Sequence, residues 1–211
     1  MRGAALLVLA LAAVPVGLEA QKCVGQAPWS SGSMKVGGWI EFGGGSTDIA
    51  GEIGFGKDQG LFGGAGAGII TDNSQVFVTG ALGKELSKPL ADKITICPIA
   101  GVAYFLKKDG FSAFTLSGGL SGGYPIAMSA KNVGLILTGS AQLGYDHFSF
   151  DDSACDIVGV DCSDSNVIGI FGFGAGFIFN ERISLLPALI LPTEGDVTLR
   201  ITANVAVGKK H

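Results

Sequence analysis

Hydrophobic and polar residues alternate with a period of two along much of the chain. Near the C-terminus the apolar set is Val197, Leu199, Ile201, Ala203, Val205 and Val207, and the polar set between them is Thr198, Arg200, Thr202 and Asn204. The region 132–149 alternates in the same way. A β-strand directs successive side chains to opposite faces. The pattern therefore predicts strands with one apolar face and one face of small or polar residues.

Segments of about ten residues recur from residue 35 onward, separated by short stretches of the residues that favour turns. No segment after residue 34 has a sustained helical period, and no apolar run is long enough for a membrane-spanning helix. The first and ninth segments have the weakest patterns, the ninth because it contains Pro187, so eight strands is the alternative count. The ten predicted strands are 35–43, 47–57, 61–71, 74–85, 93–106, 111–124, 132–149, 166–179, 182–191 and 196–208.

Composition indicates which way the apolar faces point. Charged residues make up 15% of the chain, whereas a water-facing surface usually carries about 25–35%. Glycine supplies 35 of the 211 residues, more than twice its usual share of about 7%. In the hydrocarbon of a membrane every backbone N–H and C=O must be paired within the protein, and a closed sheet achieves this. We therefore expect an all-β fold, a closed antiparallel up-and-down transmembrane β-barrel of about ten strands. Its apolar side should face outward to lipid. A secreted, lipocalin-like soluble binder with an apolar interior is the alternative.

The first twenty residues have the features of a secretory signal peptide. Arg2 supplies the positive charge, Ala4 to Val14 the apolar stretch, and a cleavage site follows Ala20. The net charge of −4 provides no basic surface for nucleic acid. The predicted divisions are a signal peptide at 1–20, a periplasmic N-terminal arm at 21–34, an outer-membrane barrel at 35–208 and a C-terminal tail at 209–211.

Export makes the four cysteines candidates for disulfide bonds. Cys155 and Cys162 lie seven positions apart in an acidic, Ser-rich stretch, which suggests a bond within one loop and leaves Cys23 to pair with Cys97. An even number of strands places both barrel termini on one side, where Cys97 begins the fifth strand on the same side as Cys23. A metal site is the alternative, but the spacing is not C-x-x-C and no His lies near Cys97.

Three charged residues fall on the predicted inward faces of strands: Glu41, Glu52 and Arg200. Since the first and last strands must adjoin to close a barrel, we expect Arg200 to pair with Glu41 or Glu52. An unpaired charge in a poorly hydrated lumen would cost several kcal/mol. We interpret these charges as a plug that fixes closure of the barrel, because ten strands enclose little space compared with the 16–18 strands of aqueous porins. The alternative is that they form the gate of a small pore.

The strongest candidates for catalysis are Asp146 and His147, at the outer end of the seventh strand. Because adjacent strand residues face opposite sides, the two cannot aim at the same cavity. The acidic residues of the 150–165 loop lack an EF-hand spacing, and the Gly-rich runs lack the following helix of a nucleotide site. We therefore expect no catalytic residue, no metal and no cofactor, with an enzyme acting at the barrel rim as the alternative.

The chain resembles the small bacterial outer-membrane β-barrel superfamily, the OmpA-like, OmpX-like and opacity-protein-like barrels. The resemblance rests on the signal peptide, on strands rich in glycine and aromatic residues, and on the segment FGFGAGFIFNERISLLPALILP followed by VTLRITANVAVG. The resemblance implies a bacterial outer-membrane location, and contact with outer-membrane lipid and the barrel-assembly machinery. It implies a structural, surface-interaction or narrow-pore role without naming a solute or surface ligand. One departure is the C-terminus: many such barrels end in Phe or Trp, whereas this chain ends Val207-Gly208-Lys209-Lys210-His211.

Overall fold

The computed structural model describes residues 22–24, 34–56, 60–86, 94–126, 128, 132–150, 162–180 and 182–208. A short 3₁₀ turn at Lys22–Val24 precedes the strands. Among the described residues, no helix has the length and apolarity needed to cross a bilayer. The strands are β1 Met34–Gly43, β2 Ser46–Gly56, β3 Leu61–Ile70, β4 Gln75–Lys84, β5 Thr95–Lys108, β6 Phe111–Ile126, β7 Val133–Phe150, β8 Ser163–Phe179, β9 Ile183–Pro192 and β10 Thr198–Val207.

Every strand pairs antiparallel with its neighbours in sequence, and β1 pairs with β10, so the sheet closes into a ten-stranded barrel. The closing register runs from Met34 opposite Val207 to Phe42 opposite Leu199. Closure removes both sheet edges and gives every strand a hydrogen-bonded neighbour on each side. The predicted closed up-and-down barrel is confirmed, with ten strands rather than eight.

The ninth strand accommodates Pro187 at an interruption of its hydrogen-bond ladder. Pro187 lies opposite Ile201 of β10. On its other side, the β8–β9 pairing stops after Gly174 opposite Ala188 and resumes at Phe177 opposite Leu185. Since proline has no N–H to donate, the break lies where the ladder would have needed one.

The apolar faces point outward. Phe173 on β8 is 59% exposed and Ile201 on β10 is 37% exposed, whereas the adjacent Arg200 is only 2% exposed. The same alternation continues around the barrel, which gives an apolar exterior and a mostly buried inner face of both polar and apolar side chains. Since every strand has at least ten residues, each is long enough to cross a bilayer at the usual tilt of a transmembrane strand. This arrangement is the reverse of a soluble barrel.

The strand register defines which inward residues face each other across the lumen. The residues paired with Glu52 of β2 can be followed from strand to strand in both directions around the barrel. The route through β3 arrives at Asp146 of β7, and the route through β1 arrives at Gly134 of β7, twelve residues away. Both routes take five steps, so β7 lies opposite β2. Ser140, midway between the two end points, therefore faces Glu52 at the same height.

The end of the barrel that holds Met34 and Val207 is called the terminal end, and the opposite end the distal end. At the distal end β7 continues ten residues past Ser140 to Phe150, whereas β2 begins six residues beyond Glu52, at Ser46. The extra four residues raise β7 by roughly 10 Å at the rise and tilt of barrel strands. The distal rim is therefore higher on the side of β7.

Candidate functional site

The distal half of the lumen contains a row of three buried aromatic side chains. The ring centroids of Trp39 and Phe77 are 5.7 Å apart in a stacked arrangement, and those of Phe77 and Phe105 are also 5.7 Å apart. Gly68 and Ala50 leave room for the row, since a Cβ on Gly68 would come within 2.5 Å of the Phe77 ring. The aromatic row fills this side of the lumen.

A second apolar cluster lines the wall formed by β8 and β9, where Ile168, Ile170 and Ile190 are buried together. The sequence analysis missed both interior clusters because it expected only small or polar groups in the lumen. The alternation of inward and outward side chains along each strand could have revealed them. Phe77 lies between Val76 and Val78, which face outward, so it had to face inward.

Arg200 and Glu41 form an ion pair across the seam that closes the barrel. They are register partners on β10 and β1. Arg200 donates from Nε to Glu41 Oε2 at 2.5 Å and also contacts it through Nη2. Thr198 Oγ1 donates to the other carboxylate oxygen at 2.7 Å, and the guanidinium carbon lies 4.4 Å from the centre of the Trp39 ring. The seam thus joins the ion pair to the aromatic row.

The third predicted lumen charge, Glu52, lies apart from this pair. Glu52 is the register partner of Gly37, four positions from Glu41 along β1, and its Oε2 atom is buried without a hydrogen-bond partner. Asp48, which the sequence analysis did not include, lies opposite Glu41 in the register and is buried. Asp48 is four positions from Glu52 on the same strand, so the alternation of side chains already indicated that both face inward.

The terminal half of the lumen holds the turn Lys22–Val24. Cys23 and Val24 are buried against Phe62, Cys97 and Ile99. A disulfide joins Cys23 to Cys97, with their Cα atoms 6.0 Å apart, and Ser121 Oγ donates to the backbone oxygen of Cys23 at 2.6 Å. The sequence analysis placed the whole 21–34 arm in the periplasm; the structure instead places these three residues inside the barrel.

A cavity of about 30 Å³ lies beside Val24, lined among others by Ser121, Ser140, Thr202 and Arg200. This volume accommodates about two water molecules. Part of its lining is small, since Gly172 and Ala188 also border it. The cavity is therefore a small, mostly apolar space between the turn and Arg200.

The other predicted disulfide lies partly outside the described residues. Cys162 is disulfide-bonded, whereas Cys155 is outside the described residues, as are the predicted signal peptide, the 209–211 tail and most of the acidic loop. Asp164, the one described acid of that loop, accepts a hydrogen bond from the backbone N–H of Ser165. Within the described ranges, no group of three or more His, Cys, Asp and Glu side chains could hold a metal ion.

Asp146 and His147 face opposite sides of the barrel wall. Asp146 is buried in the lumen and accepts a hydrogen bond from Thr115 Oγ1 at 2.7 Å. His147 lies on the outer face, where its Nδ1 is 2.9 Å from Ser165 Oγ and its ring contacts Phe114. Tyr145 donates to the same Ser165 Oγ at 3.1 Å. The two residues therefore share no cavity.

Comparison with known proteins yields structural likeness only. No protein-family model and no curated protein matches the chain. The beta domain of the Bordetella autotransporter BrkA superposes with a TM-score of 0.50 at 14% identity, covering 85% of this chain and 86% of that one. The N-terminal β-barrel domain of Pseudomonas aeruginosa OprF gives 0.41 at 10% identity, covering 85% and 100%. The outer-membrane enzyme PagL gives 0.40 at 14% identity, covering 83% and 99%. These likenesses concern the fold.

Proposed function

We propose that this protein is a structural barrel of the bacterial outer membrane, of the small-barrel type that the sequence resembles, with a lumen that is closed to solutes. The observation that carries the proposal is the filled interior. The aromatic row and the Glu41–Arg200 pair, which contact each other through Trp39, occupy the distal half of the lumen, and the Lys22–Val24 turn occupies the terminal half. A general porin instead keeps an open aqueous channel.

The apolar exterior supports the membrane location, because a belt of exposed apolar side chains requires lipid as its solvent. The even strand count supports the orientation. With the terminal end in the periplasm, the distal ends of β7 and β8 at Phe150 and Ser163 face the cell surface, the side on which outer-membrane barrels carry their longer loops.

The test is expression of the full-length chain in a Gram-negative bacterium, followed by membrane fractionation and planar-bilayer recording of the purified oxidised protein. We expect the protein in the outer-membrane fraction, heat-modifiable migration on a gel, and no conductance steps. Recovery in the soluble periplasmic fraction would contradict the location. Porin-sized conductance steps would contradict the closed lumen.

An enzyme at the distal rim is the second candidate, and one observation favours it: the 2.9 Å contact between His147 Nδ1 and Ser165 Oγ. A serine bonded to a histidine is the minimum arrangement for a nucleophile and its base. We assign no catalysis here because the buried carboxylate of Asp146 is on the other face of the wall. Labelling of the wild-type protein by a fluorophosphonate, lost in Ser165→Ala, would support the enzyme instead.

A further inference from the structure

The distal part of β8 extends beyond its neighbour β9. The last backbone contacts between the two strands join Gly169 to Thr193: the Thr193 N–H donates to the Gly169 carbonyl oxygen at 2.8 Å, and the Gly169 N–H donates to Thr193 Oγ1 at 3.0 Å. β8 begins six residues earlier, at Ser163. Among the described residues, the stretch 163–168 therefore pairs as a strand only with β7. This stretch, called the β8 edge, is about 20 Å long at the usual rise of a strand.

Alternate backbone groups of the β8 edge point away from β7. Residues of an antiparallel strand direct their N–H and C=O groups alternately to one neighbour and to the other. Gly169 directs both groups toward β9, so Ser163, Ser165 and Val167 direct theirs out from the free edge. No described group donates a hydrogen bond to the carbonyl oxygens of these three residues. The edge is accessible, since Val167 is 62% exposed.

Two outward N–H groups of the β8 edge are capped by the side chain of the preceding residue. The Ser165 N–H donates to Asp164 Oδ1 at 2.7 Å, and the Val167 N–H donates to Asn166 Oδ1 at 2.8 Å. Local bonds of this kind compete with strand pairing, so a carbonyl oxygen of an incoming strand can replace either of them. The edge therefore presents three carbonyl acceptors directly and two N–H donors by exchange.

The charges around the β8 edge are negative. Asp164 lies on the edge itself, and Glu194 is held beside it because Asn166 Nδ2 donates to Glu194 Oε2 at 2.8 Å. Asp196 follows in the β9–β10 connection, and all three acids are exposed. No Lys or Arg occurs in 163–180 or in 183–199. Charge complementarity therefore favours a cationic occupant. A second copy is disfavoured, because pairing two such edges would bring like charges together.

We propose that the β8 edge binds an extended, basic peptide segment of another protein, which adds to the barrel sheet as a further strand. In this mode of recognition the main-chain hydrogen bonds supply affinity, and alternate side chains supply specificity. The inference goes beyond the proposed function, and it rests on that function only for the position of the edge at the cell surface.

The two faces of β8 define the residue pattern of the peptide. Ser165 and Val167 lie on the outer face, opposite His147 and Tyr145 in the register, whereas Asp164 lies on the inner face. Side chains that are directly opposite in neighbouring strands share a face. Peptide residues opposite Ser165 and Val167 therefore lie on the outer face, where Val167 favours an apolar side chain, and direct their backbone groups toward β8. The residues between them carry the basic side chains on the face of Asp164, and their backbone groups point away.

The experiment measures binding of short fluorescein-labelled peptides to the full-length oxidised protein in non-ionic detergent, by fluorescence anisotropy. The probe is a hexapeptide of alternating lysine and valine with blocked ends. We expect saturable binding that weakens as salt is added. A peptide of alternating glutamate and valine should bind at least about tenfold more weakly. A peptide with three lysines followed by three valines should also bind at least about tenfold more weakly, because it has the same charge without the alternation.

Two N-methylated forms of the lysine–valine peptide test strand addition directly. Methylation of the valine amide nitrogens should abolish binding, because these N–H groups donate to the outward carbonyl oxygens of the edge. Methylation of the lysine amide nitrogens should leave the dissociation constant within about twofold, because those N–H groups point away from β8. The two forms have the same mass and charge. Equal binding by both would overturn strand addition.

Variants of the protein test the position of the site. Asp164→Lys should raise the dissociation constant of the lysine–valine peptide about tenfold. Asp72→Lys is its control: it makes the same charge change in the β3–β4 turn, across the barrel from β8, and should bind as the wild type does. Ser165→Pro removes an outward N–H without removing a β7–β8 bond and should abolish binding. Heat-modifiable migration verifies that each variant folds, and the methylated peptides with the wild type supply the test if one does not.

The remaining outcomes overturn the inference in distinguishable ways. No saturable binding of the lysine–valine peptide to the folded wild type would exclude the site. Equal loss of binding in Asp164→Lys and Asp72→Lys would place the peptide elsewhere on the distal end. Dimerisation of the oxidised protein in detergent that Ser165→Pro abolishes would assign the edge to a second copy. Recovery of the protein in the soluble periplasmic fraction would instead contradict the proposed membrane barrel, whatever the peptides show.

Discussion

Arg200 and Glu41 are register partners on the last and first strands, and their side chains form a buried ion pair where the barrel closes. The pair therefore connects the two ends of the folded sheet. Its position gives one side-chain contact influence over closure of the whole barrel.

Removing one partner of this pair should destabilise the barrel. Arg200→Met leaves the Glu41 carboxylate buried without its cation, and breaking a buried pair in this way costs about 3–5 kcal/mol. We expect a lower temperature of the folded-to-unfolded gel shift in detergent and a lower urea midpoint. The double variant Glu41→Gln/Arg200→Met should regain part of the loss. Unchanged heat stability of Arg200→Met would count against a role in closure.

The aromatic row predicts a contrast between two adjacent residues. Phe77 is fully buried in the lumen, whereas Val78 is exposed on the lipid side. Phe77→Ala should cost about 3–5 kcal/mol, because it leaves a cavity between Trp39 and Phe105. Val78→Ala, which removes side-chain atoms that face lipid, should change the urea midpoint little. Equal effects of the two substitutions would show that the row does not stabilise the interior.

The small residues beside the aromatic row predict a second contrast, between Gly68 and Gly51. A methyl group at residue 68 would come within 2.5 Å of the Phe77 ring and 2.7 Å of Ala50 Cβ, whereas at residue 51 its nearest neighbour would be 4.0 Å away. Gly68→Ala should therefore cost about 1–3 kcal/mol through overpacking. Gly51→Ala should fold normally. The yield of heat-modifiable protein after refolding into detergent measures both, and normal refolding of Gly68→Ala would contradict the packing described.

The lipid-facing belt predicts a dependence on depth. Leu120 is 54% exposed near the level of Glu52, and Met34 is 50% exposed at the terminal end. An arginine near the bilayer midplane of such barrels costs about 2–4 kcal/mol, and one near the interface about 0–1. Leu120→Arg should thus lower the unfolding free energy in lipid bilayers much more than Met34→Arg. Equal costs would show that the belt does not lie across a membrane.

Strand positions and the inward or outward direction of most residues could be predicted from the sequence, because they follow from local alternation. In β10, Leu199, Arg200 and Ile201 already indicate the face of each neighbour. The residues that fill the lumen were harder to predict. In a run such as Val76-Phe77-Val78 every position is apolar, so hydrophobicity alone does not mark the inward one.

The pairing of lumen charges depended on the register of strands distant in sequence. Both Glu41 and Glu52 could be assigned to the inner face, but their heights relative to Arg200 follow from the β1–β10 and β1–β2 registers, which no local pattern contains. The position of the Lys22–Val24 turn had the same difficulty. The presence of Cys23 predicts a covalent partner, yet whether the turn lies outside or inside the barrel depends on the space that the inner walls leave.

The amino-acid sequence by itself determined the closed β-architecture and the outward direction of its apolar side chains, because a period of two and a scarcity of charge are properties of neighbouring residues. The tertiary structure decided that the lumen is filled, that Arg200 pairs with Glu41, and that Cys23 lies inside the wall. The Arg200–Glu41 contact, for example, requires residues 159 positions apart in the chain to meet at a defined height, and only closure of the sheet sets that height.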